Sequence, residues 1–414
     1  MKIKIPYGSH ETEVDLPSEL EVVIAHSKEV SLKQKETVIR EALDNPFGCP
    51  SFIKWLENKR KILFIINDAS RSTPTHDILK ELYKEVDLKE AKYIIATGAH
   101  RQPTDSELAL IFGEFYGRVK PNILIHNARD KKSLIKLGIT DRGTEVWANK
   151  AIVEAEALVP IGSVEPHYFA GFTGGRKSFF PGLAGYVTIE QNHKLALEES
   201  SLPLELSENP VHLDLLDAFG KLPRIPIFSI QAIIKDEKDL CAVFCGNIHK
   251  SFLKACEYTR DVFAVEIKEK ADVVITVAKS PLDKNLYQAH KAIEHGKIAL
   301  KGEGILILLA ECREGIGPDN FYRLLSSSTR SEEILRTARD NYKLGYHKAA
   351  RIAELLVKAK VWVVSEIEDK ILQKASLRAF DSLQEAVDQS IIKKGKDAKF
   401  LIIIDGANTV PEVM

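Results

Sequence analysis

Short runs of uninterrupted apolar residues, each followed by an amphipathic stretch, recur along this 414-residue chain and limit its fold more than any other feature. ILFII at 62–66 precedes THDILKELYKEV, YIIAT at 93–97 precedes TDSELALIFGEF, and NILIH at 122–126 and AEALVPIG at 155–162 follow. After the charged stretch VEIKEKAD the rhythm resumes with DVVITVA at 272–278, a helix expected around 285–298, and GILILLA at 304–310. Helices expected across 318–357, then VWVVSE at 361–366 and FLIIID at 400–405, complete it. A strand that is apolar along its whole length is covered on both faces, and helices between successive strands do the covering, so the expected class is α/β with mainly parallel sheets. One core rarely serves more than roughly 250–300 residues. We therefore expect two domains, 1–265 and a smaller one over 266–414, each with a helix-covered sheet and with the active site in the cleft between them.

Charge excludes several partner classes. With 58 basic and 59 acidic side chains the net charge is −1, and no global field exists to gather nucleic acid or an anionic membrane surface. The opening MKIKIPYGSHETEVDL has no apolar h-region, and no run approaches the roughly 18 apolar residues of a membrane span. Small molecules are the expected partners and the cytoplasm the expected location. Cys49, Cys241, Cys245, Cys256 and Cys312 are few and odd in number, which suits a reducing compartment. Cys241 and Cys245 have zinc-like spacing but share one face of an apolar run with no second pair, so we expect buried structural thiols.

In open α/β sheets ligands sit outside the carboxyl ends of the strands, and reactive side chains concentrate there in four segments. These are NDASRSTP (67–74), ATGAHRQP (96–103), EPHYFAGFTGGRKSFFPGLAGY (165–186) and LYQAHK (286–291). The third carries five glycines and two prolines and cannot form regular helix or strand, which marks a specialised loop. It carries His167, Gly174, Gly175, Arg176 and Lys177, and His193 lies on the helix expected next. Gly171 to Ser178 would read as a phosphate-binding P-loop, but Arg176 replaces the second required glycine and EPHYFA is no apolar strand. No G-x-G-x-x-G follows a strand either. On chemistry alone, Lys177 could form a Schiff base with pyridoxal phosphate, or the loop could hold a nucleotide-like cofactor without catalysis.

ATGAHR, EPHYFAGFTGGRKSFFPG and the downstream Asn192-His193 resemble the nickel-pincer lactate racemase family, and the likeness runs from DASR at 68–71 to YQAHK at 287–291. The resemblance implies a racemase or epimerase of a small 2-hydroxy acid such as lactate, working by proton-coupled hydride transfer at C2. Its cofactor would be a pyridinium-3-thioamide-5-thiocarboxylate mononucleotide carrying nickel, made by separate cofactor-synthesis proteins and held in the 1–265 domain. The resemblance assigns the covalent tether to Lys177, further cofactor contacts to Gly174, Gly175 and Arg176, and the nickel ligand to His193. His100 and His167 become the catalytic pair. Asp68 and Arg71 on one side, and Tyr287, Gln288 and Lys291 of the 266–414 domain on the other, become substrate contacts. The physical reading agrees. Imidazoles titrate near neutral pH and can accept and return a hydroxyl proton. The fork of Arg71 suits a carboxylate, with Asp68 three residues earlier expected to orient it. Gln288 and Lys291 share a helical face. One departure is Ser72, where the family more often has proline.

Overall fold

The computed structural model describes residues 1–235 and 239–414, and these divide into two compact units, Glu29–Arg260 and Met1–Lys28 with Asp261–Met414. Each is α/β, as the apolar rhythm requires.

In the Glu29–Arg260 unit the apolar runs form a six-stranded sheet in the order Leu240–Gly246, Ser229–Ile234, Ala157–Ser163, Ile62–Asn67, Lys92–Ala96, Ile123–Ile125. All neighbours are parallel except the hairpin of Ser229–Ile234 with Leu240–Gly246. Register pairs Ile66 with Ile95 on one side and with Ile161 on the other. Ile62–Asn67 comes first in the chain; the next two strands extend the sheet on one side of it, and Ala157–Ser163 adds on the other. The crevice beyond the carboxyl ends of Ile62–Asn67 and Ala157–Ser163 is thus a topological switch point, the usual place for a ligand. Phe64, Ile66, Tyr93, Ile95, Val159 and Ile161 from adjacent strands, with Ile78, Leu79 and Leu82 of helix Thr75–Glu85, share one buried core.

The other unit holds a wholly parallel sheet in the order Arg378–Phe380, Lys360–Val364, Leu300–Leu309, Ala271–Val277, Lys399–Ile403, Glu21–Ala25. Helix Leu286–Gly296 follows the carboxyl end of Ala271–Val277, with the Asn285 side chain accepting from the Gln288 N–H as its N-cap. The expected domain boundary needs a correction here, because residues 1–28 pack with 261–414 and not with the chain that follows them. Strand Glu21–Ala25 completes this sheet against Lys399–Ile403, and Ile5, Val14, Leu16 and Leu20 enter its core beside Val273, Ile275 and Phe400. Polar alternation in MKIKIPYGSHETEVDL reveals one buried face but not which core it covers.

Cys245 is buried and Cys241 partly exposed, and no disulfide joins the cysteines among the described residues. No helix among the described residues is long and apolar enough to cross a membrane.

Ile5→Ala tests the placement of the N-terminal segment. Ile5 is fully buried, so the truncation is expected to cost about 2–5 kcal/mol by chemical denaturation. A loss below about 1 kcal/mol would put residues 1–28 outside this core.

Candidate active site

Two side chains that follow Ile62–Asn67 and one that follows Lys92–Ala96 meet their partners at the switch point. The Asp68 carboxylate bonds His100 Nδ1 at 2.7 Å through Oδ2 and accepts from the Ser70 backbone N–H at 3.1 Å and hydroxyl at 2.5 Å through Oδ1. Burial alone would raise the Asp68 pKa, but the His100 contact, Ser70 and the charge of Arg71 outweigh it and hold it below the ordinary aspartate value. An ionised Asp68 accepts only, so His100 carries its proton on Nδ1 and, when neutral, turns an unprotonated Nε2 away from Asp68.

The Asp68 carboxylate is thus bonded to His100 and Ser70, with Arg71 acting on it through its charge. Arg71 itself pairs with Glu165 across the switch point, Nη1 to Oε2 at 3.3 Å. Glu165 is itself held, with Ser163 Oγ donating to Oε1 at 3.0 Å and its own N–H donating to Thr173 Oγ1 at 2.8 Å. Nothing about Glu165 stood out in the sequence.

The glycine-rich segment forms two short paired stretches, Pro166–His167 with Gly171–Phe172, and a 3-10 turn at Gly175–Ser178. From 166 to 180 every residue is buried except Lys177. A buried loop must find partners for its peptide groups, and much of this loop finds them in side chains. Asn209 Nδ2 donates to Phe169 O at 3.0 Å, Gln231 Oε1 accepts from Gly175 N at 3.0 Å, and Arg176 Nη2 donates to Ala170 O at 3.1 Å. Gly174 and Gly175 have φ of +77° and +54°, and a Cβ there would lie 2.5 Å from Val164 and 2.7 Å from Phe252. Both positions therefore require glycine.

Three of the expected site residues surround one ring. Phe169, buried, has the His167 ring edge-on at 4.5 Å, the His193 ring edge-on at 5.1 Å and Lys177 Nζ at 5.7 Å from its centroid. His193 comes from helix Tyr186–Lys194. That helix is fixed by Asn192, whose Nδ2 donates at 2.8 Å to Asp214, a buried carboxylate that also accepts from Thr140 and Thr144. His167 Nδ1 accepts from Ala170 N at 3.3 Å, so its neutral ring carries the proton on Nε2, the tautomer opposite to that of His100.

Arg176 is 3 % exposed, and its Nε and Nη1 have no hydrogen-bond partner among the described residues. Its guanidinium lies over the Phe252 ring, and burial pulls its pKa down to about 9. His212, unremarked in the sequence, stacks on the same Phe252 ring with centroids 6.4 Å apart, and its Nδ1 has no hydrogen-bond partner among the described residues. Burial, then Arg176, His249 and Lys177, bring its pKa down to about 2, and it stays neutral.

In the other unit, helix Leu286–Gly296 carries Tyr287, Gln288 and Lys291. Lys291 is buried while Gln288 is partly exposed. Lys348 Nζ donates to Tyr287 O at 2.6 Å and sits 3.7 Å from its ring centroid. His290, His295 and His347 are buried there, and His76 of the larger unit is partly exposed.

Comparison with known proteins agrees over the whole chain. Residues 7–203 match the family described as lactate racemase N-terminal domain and 266–410 the lactate racemase C-terminal domain. A lactate racemase of Thermoanaerobacterium thermosaccharolyticum is 32% identical over 99% of this chain and 98% of its own, and one of Lactiplantibacillus plantarum is 29% identical over 92% and 91%. The solved lactate racemase apoprotein of T. thermosaccharolyticum superposes with a TM-score of 0.91 at 30% identity, covering all of both chains. A Thermotoga maritima protein at 17% identity and a TM-score of 0.70, over 92% of this chain and 98% of its own, shares the fold.

Two measurements check this geometry. Nitrogen NMR of His100 is expected to show the Nδ1–H tautomer, and Asp68→Asn, whose amide can donate to Nδ1, should convert part of it to Nε2–H; an Nε2–H ring in the unmodified protein would contradict the Asp68 bond. Phe169→Ala removes the ring shared by three side chains and is expected to cost about 3–5 kcal/mol, with Phe169→Leu costing distinctly less; equal losses would deny the ring its filling role.

Proposed function

We propose that this chain, which belongs to the lactate racemase family and is an isomerase, interconverts the enantiomers of lactate or a related small 2-hydroxy acid by proton-coupled hydride transfer at C2. The observation that carries this reading is the gathering of His167, Lys177 and His193 about Phe169.

A nickel-pincer mononucleotide fits the residues present. Among the described residues no three of His, Cys, Asp or Glu gather to hold a metal ion, so a metal here would bring most of its ligands with it and take one imidazole, His193, from the chain. Sulfur donors with one imidazole suit Ni(II). Lys177, partly exposed beside buried Arg176 and the Gly174-Gly175 turn, suits a covalently tethered anionic group. When bound, that group supplies a pyridinium ring able to take the C2 hydride and return it to either face. Separate cofactor-synthesis proteins would then be partners of this chain.

The remaining work falls to the chain's own side chains. The Arg71 fork, with Glu165 limiting its rotation, binds the substrate carboxylate. Asp68 keeps the proton of His100 on Nδ1, so that Nε2 can accept the substrate hydroxyl proton. Returning a proton to the opposite face requires the other imidazole in its protonated form, so in turnover one of His100 and His167 is neutral and the other carries the extra proton, and each enantiomer uses them in opposite roles. Lys291, Gln288 and Tyr287 contribute the remaining substrate contacts, with Lys348 steadying Tyr287. The substrate anion thereby meets fixed charge rather than water.

Racemisation of 2-deuterated lactate in ordinary water tests the reading, using protein made alongside the cofactor-synthesis proteins. The product enantiomer is expected to keep its deuterium, and His100→Ala and His167→Ala are each expected to lower turnover about a hundredfold or more in both directions. Deuterium lost at the racemisation rate would replace hydride transfer by proton abstraction. No racemisation of any 2-hydroxy acid, with pyridoxal phosphate released on denaturation, would restore the Schiff-base alternative on Lys177.

A further inference from the structure

A guanidinium that is buried with two of its three nitrogens unanswered is costly, and proteins keep such a group where an anion will complete it. Arg176 is in this position: Nη2 is used by Ala170 O, and Nε and Nη1 are without partners among the described residues. The groups around it add positive charge or neutral polarity. Lys177 follows directly, and the neutral His212 ring shares the Phe252 wall, its Nδ1 without a partner among the described residues. Cys256 is the acidic group that acts on Arg176, but burial pushes its thiol pKa far above neutrality, so it supplies no charge.

Shape narrows the anion. Nε–H and the Nη1 hydrogens lie on different edges of the guanidinium plane, and a planar carboxylate meets one edge at a time. A tetrahedral group with three terminal oxygens can accept from donors that converge from several directions, including an imidazole.

We propose that Arg176 and His212, walled by Phe252, form a buried phosphomonoester subsite in the Glu29–Arg260 unit. It rests on the reading of this loop as a mononucleotide site and assigns the phosphate end to residues that the motif alone does not distinguish. His212 keeps its neutral form in the ligand-free chain and contributes a single donor.

The test uses the full chain made without the cofactor-synthesis proteins, titrated by calorimetry with ribose 5-phosphate, ribose and inorganic phosphate at fixed ionic strength. Ribose 5-phosphate is expected to bind and to raise Tm, and ribose to do neither. Inorganic phosphate binding as tightly as the ester would identify free phosphate as the ligand, and weaker binding would identify an ester; both support the subsite. Arg176→Met is expected to raise the ligand-free Tm, because a buried unpaired charge is removed, while weakening ribose 5-phosphate by at least about tenfold. His212→Phe is expected to weaken it several-fold and carries the test if Arg176→Met does not fold. A ribose response equal to that of the ester, or ester affinity unchanged in a folded variant, would overturn the subsite. Failure of the racemase reading would be separate: ester binding would persist while no 2-hydroxy acid is racemised.

Discussion

Everything distinctive about the larger unit depends on burying a segment that has no continuous helix or strand. Peptide groups in such a segment cannot be left unpaired, and here neighbouring elements answer them one by one. His126 Nε2 bonds Ala184 O at 2.9 Å, Gly98 N donates to Gly182 O at 2.9 Å, and Thr259 Oγ1 donates to Val164 O at 3.3 Å. The loop is therefore fixed from several sides by the sheet and the helices packed on it. Its rigidity is what allows His167, Lys177 and His193 to keep a common neighbour in Phe169. Preorganisation of this kind is obtained during folding and need not be supplied at each turnover.

Charge is handled differently in the two units. The smaller one buries Glu294 among Arg351, Lys297 at 2.9 Å and the His290 ring. Burial opposes ionisation of Glu294, yet the Arg351 and Lys297 charges overcome it and hold its pKa well below the usual glutamate value. Stability from this carboxylate is fully present above the ordinary glutamate pKa and is lost as the pH falls through the lowered one. The larger unit leaves Arg176 without a carboxylate partner among its described residues. The first arrangement is a closed structural network; the second has capacity left for a ligand.

Much of the fold was legible because strands buried on both faces must be apolar throughout, and few other structures need that pattern. ILFII, YIIAT, ALVPIG, DVVITV and ILILL all became sheet strands. The placement of the N-terminal segment was not legible, because its alternation specifies a half-buried surface while the identity of the covering core depends on Lys399–Ile403, far along the chain. At the site, the residues with unusual chemistry in an unusual loop were visible. Phe169, Glu165 and His212 were not, since a phenylalanine, a glutamate and a helical histidine are common anywhere; only the groups that they touch distinguish them.

The sequence by itself determined the α/β class, the position of reactive residues at strand carboxyl ends and the irregular course of residues 165–186, because each follows from local rules of periodicity, proline and glycine. Tertiary structure alone decided the pairings. The Asp68 carboxylate bonds His100, 32 residues away, while only the Asp68 backbone carbonyl accepts from the Arg71 N–H; the Arg71 guanidinium pairs with Glu165, 94 residues on. Adjacent parallel strands bring their carboxyl ends together whatever their separation in the chain, and a carboxylate takes the donor that sheet geometry presents to it rather than the one nearest in sequence.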